Sequence, residues 1–325
     1  MPDRVKLSIV IPAYNSEKYI GTAVSSALAQ NVPDTEVLVV NNASTDRTAE
    51  VVASFSDPRV RCVTHETNMG MVPNFRSGLE AARGKYISFL CADDVYIPDT
   101  LQRLVELLDG KPSAVVAFGN VNYIDDSGRV TGEYRPPIPP EMDGREYALL
   151  SLKTARNYMY LSSVVLRRDT LIKCGGIEAE DGIFFDWNMW LRLSLCGTVL
   201  HYDHVVLNYR SHPENESKKI TLPSKRVLEV INGTMGRGLR RPDLANALAA
   251  AHLQCYYVYS NNICSDRLNG LSFSEVISEI LFFARRLRPL DLLAVSPYMA
   301  ASLLPVPVLN VMRRCKHALF GRKTA

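Results

Sequence analysis

No two of the seven cysteines stand at the Cys-x-x-Cys spacing of a zinc or dithiol redox site. They are odd in number, scattered, and several sit inside apolar runs, so small buried hydrophobes in a reducing compartment are expected, and no zinc site. Glycine-rich loops are also missing. The loop after the first apolar run has no Gly-x-Gly-x-x-Gly, which speaks against a dinucleotide-binding site. No Gly-x-x-x-x-Gly-Lys-Ser/Thr loop is present for a nucleoside triphosphatase, and the same lack argues against a nucleotidylyltransferase. There is no basic-then-apolar leader before the first strand, no internal repeat and no low-complexity tract. A cytosol-facing protein with room for a full core and a second region is therefore expected from the 325 residues.

What the sequence does have is alternation. Apolar, β-branched runs at 6–12, 36–40, 60–64, 86–91 and 114–119 read as strands. Between them, helical spacing of apolar residues predicts helices over 19–30, 47–54, 72–82 and 98–108. Ser44 or Thr45 suits the cap of the second helix. Strands and helices of this size in alternation imply βαβ units and a mostly parallel sheet. Further on, 122–129 reads as a hairpin turn, 135–145 as a proline-rich loop, 162–167 as a strand, and 185–193 as the start of a helix. Residues 201–210 hold one or two strands, and beyond about Ser217 the pattern is mainly helical. A domain at 1–216 followed by a helical region at 217–325 is the expected division.

The run Tyr86–Cys91 stops abruptly at two adjacent acids, Asp93 and Asp94. An unpaired charge is costly to bury, so a pair of carboxylates where a buried strand leaves a sheet points to a ligand. In open α/β sheets, ligands lie beyond the carboxyl ends of the strands. Oxygen donors at that place suit a hard divalent cation, and such a cation suits a phosphate-bearing substrate.

Five stretches in order, Ser8–Asn15, Val39–Asp46, Gly84–Asp94, Gly175-Gly176 with Asp186-Trp187, and Tyr209–His212, resemble the inverting, nucleotide-sugar-dependent glycosyltransferases of family two. The resemblance spans about residues 6–215 and implies a GT-A fold. It also implies a reaction in which a sugar leaves a nucleotide diphosphate for an acceptor hydroxyl. By the same resemblance Pro12, Tyr14 and Glu17 lie against the nucleotide, and Asn41 with Asn42 stands where the family has an acid that reads the base. Asp93 is assigned to ribose or nucleotide contacts, Asp94 and His212 to a Mn²⁺ or Mg²⁺ ion, and Arg210 to the diphosphate. Asp186 matches the general base, with a helix N-cap as its plain structural alternative. Three positions depart from the family pattern: Cys91, Asn41 and Phe185 each stand where an acid is usual. They make a catalytically inactive nucleotide-sugar-binding or scaffolding protein the alternative from a different functional class.

Charge is divided unevenly along the chain. Residues 281–325 carry eight Lys/Arg and one acid, a local +7 out of a total of +3, which leaves −4 for the rest. The body is thus not basic, and no nucleic-acid partner is expected. Within this tail, 292–312 is a 21-residue run without a charge, interrupted by Pro297, Pro305 and Pro307. Its length is that of a membrane span, but the prolines favour a segment lying on the anionic inner face of a membrane. A peripheral, membrane-associated enzyme with a cell-surface glycan or lipid-linked acceptor is the resulting expectation.

Overall fold

The computed structural model describes residues 5–154, 156–212 and 215. Four strands, β1 (Leu7–Ala13), β2 (Thr35–Asn41), β3 (Val60–Thr64) and β4 (Tyr86–Phe89), form a parallel half-sheet in the order β3-β2-β1-β4. Helices α1 (Ile20–Leu28), α2 (Thr48–Ala53) and α3 (Met71–Ala81) make the crossovers, within one or two residues of the predicted spans. The strands read as continuous apolar runs because both faces are covered. Leu7, Ile9 and Ile11 point to a core shared with α1, whereas Val10 points to the opposite core with α3. Each such side chain is essentially unexposed, and full burial of a Val, Leu or Ile contributes about 1.5–3 kcal/mol. Gly78 on α3 allows the close approach, because a Cβ there would lie 2.4 Å from Val10.

Beyond β4 the sheet is mixed rather than parallel. A two-residue strand, β5 (Val95–Tyr96), precedes α4 (Thr100–Gly110), and β6 runs through Ala114–Ile124, well past the predicted end. After β6 come β7 (Val130–Tyr134), β8 (Glu141–Asp143), α5 (Gly144–Thr154), a 3-10 turn at Leu161–Ser163, and β9 (Val164–Arg167). Then follow α6 (Arg168–Lys173), a 3-10 segment at Ala179–Phe184, α7 (Phe185–Ser194) and the single long strand β10 (Thr198–Arg210). β9 inserts antiparallel between β4 and β6, and β10 pairs parallel to β6. Two reversals restore direction, so β1, β2, β4, β6 and β10 all end on one edge of the sheet. The tight turn at Asp125, whose carboxylate accepts the N–H groups of Ser127 and Arg129, leads β6 into β7.

Cys174 and Cys196 are bonded to each other, and Cys62 is exposed. The expectation of buried, unpaired cysteines therefore does not hold for these three. The reason is tertiary: the ends of α6 and α7 meet, which no local spacing announces. No helix among the described residues is long and apolar enough to cross a membrane. The 216/217 boundary and the basic tail lie outside the described residues.

Candidate active site

The common edge of the sheet gathers nearly every residue singled out above. Past β4 the chain turns back on itself, the Asp94 N–H bonding to the Cys91 carbonyl at 3.0 Å. This turn sends the two acids in different directions. Asp94 is 1% exposed; its Oδ2 accepts from the Ser162 hydroxyl at 2.7 Å and its Oδ1 from the Arg210 N–H at 3.0 Å. Burial and the neighbouring Asp93 carboxylate push its carboxyl well above the usual range, against those two hydrogen bonds. Asp93 is only half-buried, and its Oδ2 faces His212 Nε2 at 2.9 Å and the Asn215 amide at 3.2 Å. Each Asp94 oxygen thus already accepts one bond from a buried donor, and Asp94 lies with Cys91 and Asp93 in a cluster whose ligand atoms are within 4.8 Å of one another. The partially open carboxylate beside an imidazole is Asp93.

Arg210 is tied into the same edge of the sheet. It is 6% exposed; its Nε donates to the Asp93 carbonyl and its Nη1 to the carbonyls of Asp125 and Asp126. The guanidinium lies 4.8 Å from the centre of the Tyr19 ring, which stacks on His212 from the other direction. Tyr19 and Lys18 both bond to the Asp126 carboxylate. Arg210 thus braces β10, the turn after β6 and the backbone of Asp93 through its Nε and Nη1.

On the β1–β2 side, two loops are laced together. Asn15 takes the N–H of Thr45 and gives its own to Ser44 Oγ; Glu17 accepts from the Arg47 N–H, and Asp46 from those of Glu17 and Thr48. Asp46 therefore accepts the first N–H of α2, whose N-cap position is Arg47, while Ser44 and Thr45, expected as caps, are engaged with Asn15. Asn15 and Ala43 have φ of 47° and 55°, a strained conformation for residues with a Cβ, and both lie in these loops. Asn41 accepts the Ser44 N–H through Oδ1, and among the described residues its amide nitrogen donates to none. Asn42 donates its amide to Asn68 Oδ1 and the Gly70 carbonyl and accepts the Met69 N–H, bracing the loop after β3. Pro12 closes β1 beyond the last β1–β4 pair, and Tyr14 stands 47% exposed at the mouth.

Asp186 is the second residue of α7, with Phe184 at the N-cap position, so its alternative reading as the cap is not met. Its carboxylate accepts from the Trp187 N–H at 2.7 Å and from the Asn157 amide at 2.9 Å. Burial raises its pKa to about 6 in spite of these bonds. Phe185, where an acid is usual, is 3% exposed and packs on Phe75, so that position belongs to the core. Asp94, Asp93 and Asp186 all contribute to holding the Cys91 thiol well above its usual pKa, after burial itself. Asp93 and Asp94 lie with that thiol in one cluster, ligand atoms within 4.8 Å of one another. Sequence reasoning missed Ser162, Asn157, Tyr19 and Asp126. Only Asn215 had a signal, three residues past His212, whose N–H it accepts at 2.6 Å.

This sheet, with its carboxylates at the strand ends, is a GT-A fold, as in the solved structures it overlays. Staphylococcus aureus TarS 1–349 in complex with UDP-GlcNAc superposes with a TM-score of 0.68 at 18% identity, over 95% of this chain and 92% of that one. The Pyrobaculum calidifontis mannosyltransferase PcManGT, in complex with GDP-Man and Mn²⁺, gives 0.57 at 16%, over 98% and 88%. Residues 8–175 match the profile of Glycosyl transferase family 2, and the chain belongs to that family. Pasteurella multocida hyaluronan synthase is 32% identical over 72% of this chain, and the chondroitin synthase of strain Pm70 is 32% identical over 71%. The matched region spans about a quarter of the length of either synthase (24% and 23%).

Proposed function

We propose that this protein is an inverting glycosyltransferase that moves a sugar from a nucleotide diphosphate to an acceptor hydroxyl. The observation that carries the reading is the cluster of Asp93 and Asp94 with Cys91 just past β4, ligand atoms within 4.8 Å of one another, together with the buried Asp186 on α7 at a pKa of about 6. A base poised near neutral pH is what removal of a hydroxyl proton requires. Asp186 takes the proton of the acceptor hydroxyl as its oxygen bonds to the anomeric carbon and the diphosphate leaves. Tyr14, Pro12, Glu17 and Asn41 line the nucleotide side, where the free amide nitrogen of Asn41 offers a donor to a base carbonyl.

A divalent cation fits the donor set. Cys91, Asp93 and Asp94 have ligand atoms within 4.8 Å of one another, and His212 faces Asp93. Asp93 and His212 would hold Mn²⁺ or Mg²⁺, with Asp94 fixing the turn beneath them; nitrogen in the set favours manganese. When bound, the cation supplies charge neutralisation to the departing diphosphate. PcManGT's complex with GDP-Man and Mn²⁺ and TarS's with UDP-GlcNAc support this choice of ligands. We further propose an acceptor from cell-surface or lipid-linked glycan synthesis and a peripheral position on the inner membrane face, supported by the basic tail.

The test is a thermal-shift panel of UDP- and GDP-sugars with and without Mn²⁺, followed by donor hydrolysis. Mn²⁺-dependent stabilisation by one donor class, with slow hydrolysis that Asp186→Asn abolishes, is the expected result. Binding without any turnover in the parent protein would leave the inactive binding protein as the answer.

A further inference from the structure

The segment from Asn157 to Ser162 touches both halves of the site. Ser162 holds Asp94, and five residues earlier the Asn157 amide reaches Asp186 at 2.9 Å. The orientation of that amide is fixed by its second bond. Its Oδ1 accepts the Met159 N–H at 3.2 Å, which obliges the nitrogen, a donor, to face the carboxylate. The other hydrogen bonds that favour the Asp186 carboxylate come from backbone N–H groups of its own helix, that of Trp187 at 2.7 Å foremost. The titratable groups whose ionisation Asp186 opposes are the Cys91 thiol, in the turn after β4, and the Tyr147 hydroxyl, on α5.

We infer that Asn157 is the positioning residue of the general base: it holds one oxygen of Asp186 and stabilises the ionised form that accepts the proton. The inference rests on the reading of Asp186 as base and deepens it. An amide donor favours the charged carboxylate and opposes the burial that raises its pKa. Without it, Asp186 stays protonated to higher pH. The sign follows: the pH below which activity falls should rise in a variant lacking the donor. Both Asn157 and Ser162 sit on one short stretch of chain, so a single piece of backbone sets the spacing between the base and the Asp93–Asp94 turn.

The test uses the full chain labelled with [¹³Cγ]aspartate, so no substrate is needed. The Asp186 resonance is identified by its loss in Asp186→Asn, and its titration is followed in the parent, Asn157→Ala and the isosteric Asn157→Asp. The midpoint should rise by about one pH unit in the alanine variant, and further in the aspartate variant, where a like charge replaces the donor. If Asn157→Ala does not fold, the isosteric variant decides. An unmoved midpoint in the folded variants overturns the inference and leaves Asp186 as base untouched. Hydrolysis of UDP-GlcNAc with Mn²⁺ supplies the second arm. A midpoint and an acid limb that move together support both readings. A moved midpoint with an unmoved acid limb sinks Asp186 as the base, and Asn157's role with it.

Discussion

Replacing Asp93 and Asp94 one at a time with alanine should separate two kinds of loss. Asp94→Ala removes the acceptor of two buried donors, the Ser162 hydroxyl and the Arg210 N–H. A buried donor left unpaired costs about 1–3 kcal/mol. Ser162 falls at the low end, because its hydroxyl can rotate and its oxygen already accepts from the Cys91 N–H. The Arg210 N–H cannot move. Relief from a carboxylate that burial disfavours offsets part of the sum, leaving a loss of about 2 kcal/mol. In urea that is a shift of roughly 1 M in midpoint at a slope of about 2 kcal/mol/M. Asp93→Ala gives up contacts to His212 and Asn215 in a half-open place that water can enter, so stability should change by about 0.5 kcal/mol or less. Calorimetry should report the reverse order. Mn²⁺-dependent binding of UDP should vanish in Asp93→Ala and survive within about tenfold in folded Asp94→Ala. If Asp94→Ala kept its stability and lost the cation while Asp93→Ala bound it normally, our assignment of the two acids would be reversed.

Other consequences follow from the same geometry. Activity should fall as pH drops through about 6, when Asp186 takes up a proton, and Asp186→Asn should cut turnover by roughly 10²–10⁴ with donor affinity little changed. Because the folded pKa lies above the unfolded one, the native state holds that proton more tightly, and stability declines as pH rises from about 4 to 6. At pH 8 the Asn variant should therefore be more stable than the parent by on the order of 1–2 kcal/mol, by urea denaturation; an unchanged or lower stability would contradict the pKa. Gly84→Ala should lose about 2–4 kcal/mol or fail to fold, since a Cβ there would sit 2.4 Å from the Tyr86 carbonyl and 2.5 Å from the Ser8 nitrogen. Wild-type-like melting would show that the strand ends relax around it. The full chain should co-sediment with anionic liposomes, weaken in high salt and be released by carbonate; indifference to liposomes would remove the case for a membrane acceptor.

The parallel half of the sheet was legible because burial on both faces writes itself as unbroken apolar runs, and each run stops where the strand stops. β9 was harder. Residues 162–167 read as a strand, but nothing local tells that it enters antiparallel between β4 and β6, because that choice is made by contacts some 75 residues away, such as Ser88 with the Val164 carbonyl. The site divided in the same way. That Asp93 and Asp94 face a ligand followed from a buried strand ending in two acids. Which of them faces outward depends on a turn closed by one backbone hydrogen bond and on Ser162, 68 residues from Asp94 in sequence. The bracing contacts of Arg210 and Asn42 were not legible for the same reason: most of their partners are backbone carbonyls and amides, which carry no sequence signal.

The three missing family acids now separate by place. Phe185 is buried against Phe75 in the core, so an acid's absence there removes no group from the site. Asn41 keeps a buried amide on the nucleotide side and has exchanged a charge for a donor, a change of recognition rather than of chemistry. Cys91 alone stands among the carboxylates. A fourth carboxylate beside Asp93, Asp94 and Asp186 would have to be neutralised or protonated, whereas a thiol held neutral by burial and by those acids adds no charge. Asp186 and Asp93, the base and the cation-facing acid of the proposed mechanism, are both present, and no hydrogen bond to either comes from the side chains at the substituted positions. Loss of the usual acids is thus compatible with turnover. The departures belong to donor choice and cation affinity, the two properties a Cys91→Asp variant would alter while Asp186 kept its pH dependence.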